Sequence, residues 1–245
     1  MKAALLRYAP WQMRDYFRDR GLVTFAMATL LAGIAWMAWR EQAIAAGMSP
    51  RAMTRGQAAA YVGSLFGFIA WFGSLTAVNG LAANDRTRGY FRLLFSRPVS
   101  ESWYYLQLWA INGLGLMVVL SLLLGLFSAF AVPFYPPALL LWIAVYWTLL
   151  GGVGFLLSAL TRFDGILLVV LFLISALLRG LAGNASGVGA RLVRLVTLPV
   201  NVAHDTLAPV LEGAALPGEA VGVVVYGLIA LILGVLVLRW KELAR

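Results

Sequence analysis

The chain has 245 residues, 62% of them hydrophobic and only 12% charged, with a mean hydropathy of +0.87. Soluble chains run at about 45–50% apolar and about 25% charged, so this balance excludes a soluble globular enzyme and a disordered chain, and the lack of cysteine excludes a secreted disulfide scaffold. What remains is an all-α membrane protein, and the net charge of +9, gathered at the ends of apolar runs, points to orientation and lipid headgroup contact rather than to nucleic acid.

Residues 1–20 open the chain as a basic amphipathic stretch. Leu6, Ala9, Met13, Tyr16 and Phe17 fall on one helical face and Arg7, Arg14, Asp15 and Arg18 opposite. Such a helix lies in the membrane interface before the first span. Its length and its two aspartates are wrong for a cleaved signal peptide. Six apolar runs follow, each long enough to cross about 30 Å of hydrocarbon as a helix: 21–39, 58–83, 103–132, 138–160, 166–182 and 220–238. None alternates with period two, which excludes a barrel, and backbone satisfaction inside a bilayer then demands helices. The whole of 1–245 reads as a single transmembrane domain.

Thirteen of the nineteen basic residues fall on the side that holds both termini, the 84–102 loop and the loop around Arg162. That asymmetry predicts cytoplasmic termini. Small residues mark helix contacts: Gly63, Gly67, Ala70 and Ser74 line one face of the second span, and Gly154 and Ser158 one face of the fourth. They serve packing within the subunit or an interface between subunits. Gly151-Gly152-Val153-Gly154 has no lysine beside it, so it is a packing cluster and not a phosphate cradle. Spans 1 to 4 and 6 carry no ionisable residue in their interiors, which argues against proton-coupled transport. Asn79, Gln107 and Asn112, near the inner ends, suit bonds between helices better than substrate binding.

Two connections exceed what a hairpin needs. The external one, 183–219, holds Arg191–Val196 and a short helix after Pro199 with His204 and Asp205. It reads as interfacial or re-entrant, and one histidine beside one aspartate makes neither a metal site nor a triad. The internal one, 84–102, is more informative. On a helix, Phe91, Leu94 and Phe95 share a face with Tyr90 beside them, while Asp85, Arg92 and Ser96 face away. Pro98 stops that helix, and Ser100 with Glu101 opens the next span. The rings either dip into the lipid interface or dock on a cytoplasmic partner.

The run Asp85, Gly89, Leu93-Leu94 and Ser96-Arg97-Pro98-Val99-Ser100, followed by aromatic residues opening a span, resembles the permeases of type-2 ABC exporters. Glu101, Gln107 and Tyr90 depart from the pattern, standing where a basic residue, a lysine and a threonine are usual. The resemblance implies an N-terminal interfacial helix, six spans and a short coupling helix between spans 2 and 3. Asp85, Gly89, Tyr90, Phe91, Leu94, Phe95, Arg97 and Pro98 would there contact a cytoplasmic ABC ATPase. It also implies a multi-pass subunit of a bacterial inner membrane, paired with a second copy of itself or a related permease. No catalytic residue, metal ligand or phosphate loop is found on this chain, so ATP and Mg would belong to the partner ATPase. Two other classes fit the composition: a membrane component of a vitamin or metal uptake system, and a mechanical or assembly subunit driven by the same kind of ATPase.

Overall fold

The computed structural model describes residues 8–47, 49, 55–79, 81, 100–130, 137–161, 163–182, 187–189, 193, 197 and 199–243. Among them there is no strand. The helices are α1 (Ala9–Asp15), a π turn (Tyr16–Gly21), α2 (Leu22–Ala45), α3 (Arg55–Val78), α4 (Glu101–Phe130), α5 (Ala138–Leu160), α6 (Asp164–Ala182), α7 (Val200–Asp205), α8 (Leu207–Leu211) and α9 (Glu219–Leu243).

Four stretches are long and apolar enough to cross a membrane: Ala9–Ala45, Glu101–Leu126, Ala138–Leu160 and Glu219–Lys241. Leu65–Val78 of α3 and Asp164–Leu178 of α6 are shorter apolar helical stretches. Large apolar side chains are exposed on every long helix, among them Leu30 and Met37 of α2, Leu122 of α4, Leu177 of α6 and Ile232 of α9. Soluble proteins do not surround themselves with such surface. The chain is therefore a helical protein suited to a membrane.

The helix ends follow from local chemistry. Gly47, with φ 69°, terminates α2 in the left-handed conformation that glycine adopts without penalty. Thr161 is extended after α5, and its hydroxyl accepts a 3.0 Å bond from the Phe163 N–H. Asp164 then opens α6, its carboxylate accepting from the Gly165 N–H at 2.9 Å.

α5 is the central helix. Every residue from Leu149 to Phe155 is buried, and α5 packs on α3, α4, α6 and α9. α2 is buried towards its ends, at Thr24, Ala28, Trp39 and Ala43, with no buried residue between Ala28 and Trp39. α7 and α8 sit on the far end of the bundle. The Trp142 indole N–H donates to the Ala203 carbonyl at 2.8 Å, and Leu211 lies beside Gly63.

One expected boundary is absent. The backbone is helical through both ends of the π turn, so α1 and α2 form one continuous run without the break expected near residue 20. α1 runs beside the first half of α4. Tyr8 meets Tyr104 edge-on at 6.0 Å, Gln107 Nε2 donates to Gln12 Oε1 at 3.0 Å, and Tyr16 fills the space over Gly115. Its buried face is therefore Gln12 and Tyr16, while Phe17, expected on that face, is 37% exposed. Gln12 and Tyr16 are four residues apart and share one helical face, and Phe17 is the next residue round from it.

Candidate functional site at the basic end of the bundle

The residues expected to form a coupling helix, Asp85, Gly89, Tyr90, Phe91, Leu94, Phe95, Arg97 and Pro98, lie outside the described residues. The frame that holds their segment is described. α3 ends with the Asn79 N–H bonded to the Leu75 carbonyl at 2.9 Å, and Leu81 is buried just beyond. α4 begins with the Tyr104 N–H on the Ser100 carbonyl at 3.1 Å, with Glu101 in its first turn, where a carboxylate complements the helix dipole. Ala77 is bonded to Asn112, and Gly73 faces Leu116, so the two helices are antiparallel neighbours. The segment therefore leaves and rejoins the bundle at one end.

Two cations clamp carbonyl ends there. Arg20 donates through Nη1 to Ala77 O at 2.8 Å and through Nη2 to Asn79 O at 3.0 Å. Lys241 donates to Ala159 O at 2.6 Å and to Leu160 O at 3.3 Å. Each thus supplies donors to carbonyls at the C-terminal end of a neighbouring helix, α3 and α5, and each complements the negative end of that helix. Asn79 Oδ1 stands beside Gly165, which brings the start of α6 to the same place. Arg14, Arg18 and Arg239 are exposed on the flanking segments. In the sequence all of these cations count towards the charge asymmetry, which does not show the clamps. The signal was register. Arg20 lies four residues before Thr24 and Lys241 three after Leu238, and both of those residues are fully buried.

The amides near this end join helices. Gln107 bonds Gln12, and Asn112 Nδ2 reaches Ala77 O at 2.9 Å. The side-chain nitrogen of Gln12 and the Oδ1 of Asn112 are buried with no hydrogen-bond partner among the described residues. Higher in the bundle two tryptophans exchange places. Trp147 of α5 lies on Gly113 of α4, and Trp109 of α4 lies on Gly151 of α5, with ring centroids 5.8 Å apart. The glycines make that stacking sterically possible.

The small-residue positions face inward. Gly67, Ala70 and Ser74 are buried, and the Ser74 hydroxyl donates to Ala70 O at 2.7 Å. Gly63 meets Leu211 of α8, Gly154 meets Val78 of α3, and Ser158 is buried in α5. Among the described residues no group of three or more His, Asp or Glu could hold a metal ion. No protein-family model matches the chain, and neither curated proteins nor solved structures offer a match to it.

Proposed function

We propose that the chain is the membrane permease subunit of an ATP-driven exporter of the type-2 ABC kind, working with a separate cytoplasmic ATPase. The observation that carries this reading is the run Asp85 to Ser100, with its single apolar face, connecting two antiparallel apolar helices at the basic end of the bundle. α3 and α6 complete six spans with the four longer stretches, and both termini face the cytoplasm of a bacterial inner membrane. Two such subunits, identical or related, enclose the pathway. ATP binding closes the ATPase pair, the coupling helix receives that motion, and α3 and α4 carry it into the bundle. The chain supplies no catalytic group, and the apolar interior favours lipid-like or amphiphilic cargo.

The reading is tested by purifying the full-length chain from its native membrane in mild detergent. An ABC ATPase should co-purify in stoichiometric amount, and transport in reconstituted vesicles should require its ATP hydrolysis. Purification without any such ATPase would overturn it.

A further inference from the structure

α4 carries an open apolar trough of about 590 Å³. Leu114, Val118 and Leu122 follow one another at four-residue spacing along it, and each is about half exposed. Ser121 and Gly125 lie on the same side of the helix and form its floor, where a Cβ on Gly125 would meet nothing within 4 Å. Leu140 of α5 joins the lining, and among the described residues no other helix does.

Depth narrows what can fill it. Asn112, the last polar side chain of α4 before the trough, shares the Ala77 carbonyl with Arg20. The trough therefore starts at the basic end of the bundle. From Leu114 to Leu126 a helix rises about 18 Å, against about 15 Å for one leaflet of the hydrocarbon core. Its length is that of a single acyl chain lying along the helix.

The foot of the trough lies beside two cations. Leu114 adjoins Gly115, which Tyr16 covers, and Arg14 and Arg18, two residues to either side of Tyr16, are exposed. Helical side chains lean towards the N-terminus, here towards the basic end, so both guanidinium groups reach the headgroup layer. Asp15 and Asp19 form a separate stripe one position round the helix. An apolar channel one leaflet long with cations at its foot complements an anionic phospholipid. A second copy of the chain fits less well. A two-fold axis along the membrane normal sets equal depths opposite each other, and the arginines would face their own counterparts.

We propose that the α4 trough binds one acyl chain of an anionic phospholipid from the leaflet at the basic end, its phosphate held by Arg14 and Arg18. The site needs no ATPase and stands apart from the exporter reading.

Native mass spectrometry tests this on the full-length chain, delipidated in detergent and then given phosphatidylglycerol or phosphatidylcholine of equal chain length. The native chain should retain one phosphatidylglycerol more tightly than any further lipid, and more tightly than phosphatidylcholine. Gly125→Leu should weaken that first binding by on the order of tenfold, because its side chain occupies the floor of the trough. Gly33→Leu on α2 is the control, since a Cβ there also meets nothing within 4 Å, and it should bind as the native chain does. Arg14→Gln combined with Arg18→Gln should remove the preference for phosphatidylglycerol and leave phosphatidylcholine binding unchanged. Native affinity in Gly125→Leu would overturn the trough as the site. Equal affinity of the native chain for the two lipids would overturn the role of the arginines. Disulfide-linked dimers of Leu122→Cys in native membranes would seat a second copy in the trough and overturn the proposal.

Discussion

Gly152 of α5 and Gly227 of α9 face each other backbone to backbone. A Cβ on Gly152 would strike the Gly227 carbonyl, and one on Gly227 would strike the Thr148 carbonyl. Further along the same crossing, a Cβ on Gly234 would stand 2.6 Å from the Phe155 ring and 3.1 Å from the Leu156 Cα. Inside a bilayer, lipid tails are as apolar as leucine, so contact of this closeness is what favours helix on helix over helix on lipid. The crossing also fixes where α9 ends, and with it where Lys241 meets the carbonyls of Ala159 and Leu160.

Gly227→Val should accordingly destabilise the fold. Overpacking typically costs 1–3 kcal/mol and occasionally more, and here the obstacle is backbone that cannot rotate away. Thermal unfolding in detergent, followed by the monodisperse fraction, should shift well below the native temperature. Gly222→Ala on the same helix is the control, because a Cβ there meets nothing within 4 Å. Equal behaviour of the two variants would show that the close crossing does not carry the packing.

The long apolar helices were legible, four of them long and apolar enough to cross a membrane, because apolar composition and helix length leave little freedom in a bilayer. The fourth run, 138–160, coincides with Ala138–Leu160, and the sixth falls inside Glu219–Leu243. The ends of the others extend further or stop sooner. α2 continues to Ala45, past the polar residues Arg40, Glu41 and Gln42, because hydropathy marks the hydrocarbon limit and a helix needs its own stop, here Gly47. The inward face of α1 was not legible. Gln12 is buried against Gln107, and a polar residue buried by a single partner leaves no period in the sequence. The clamps of Arg20 and Lys241 were hidden for a related reason. A cation at a span end satisfies the charge asymmetry whether it faces water or a carbonyl, and only its phase on the helix separates the two. The coupling residues are proposed from a one-sided pattern and a resemblance, neither of which depends on packing, and they lie outside the described residues.

Topology is open to a clean chemical test, since the chain contains no cysteine. Ser49 lies just beyond the C-terminal end of α2, and Ser100 just before α4, at the end where Arg20 and Lys241 sit. With both termini inside, Ser49→Cys should react with an impermeant maleimide in intact cells. Ser100→Cys should react only after lysis. The reverse pattern would invert the orientation and remove the segment 80–99 from reach of any cytoplasmic ATPase.

The energy source follows from the same charge distribution. The apolar runs 21–39, 58–83, 103–132, 138–160 and 220–238 hold no Asp, Glu, Lys, Arg or His, so a proton gradient has nothing there to titrate. Transport by the reconstituted complex should need ATP and persist when a protonophore collapses the pH gradient at constant ATP. Loss of transport under those conditions would assign the chain to secondary transport instead.

The final prediction concerns the segment itself. The sequence pattern would put Phe91, Leu94 and Phe95 on one face of a helix and Arg92 on the opposite face, in a stretch outside the described residues. If that face fills a groove on the ATPase, its rings are the central anchors of the contact. Truncating such an anchor typically costs about 2 kcal/mol or more, roughly 30-fold in affinity. Phe91→Ala should weaken co-purification of the ATPase and uncouple its hydrolysis from transport. The protein should still insert, because the substitution lies between spans and not within one. Arg92→Ala should change both readouts much less, since a solvated charge contributes little to a buried contact. The two variants are compared side by side for bound ATPase and for transport-linked hydrolysis. Near-native values in both would mean that the rings rest in the lipid interface, and the segment would lose the role assigned to it.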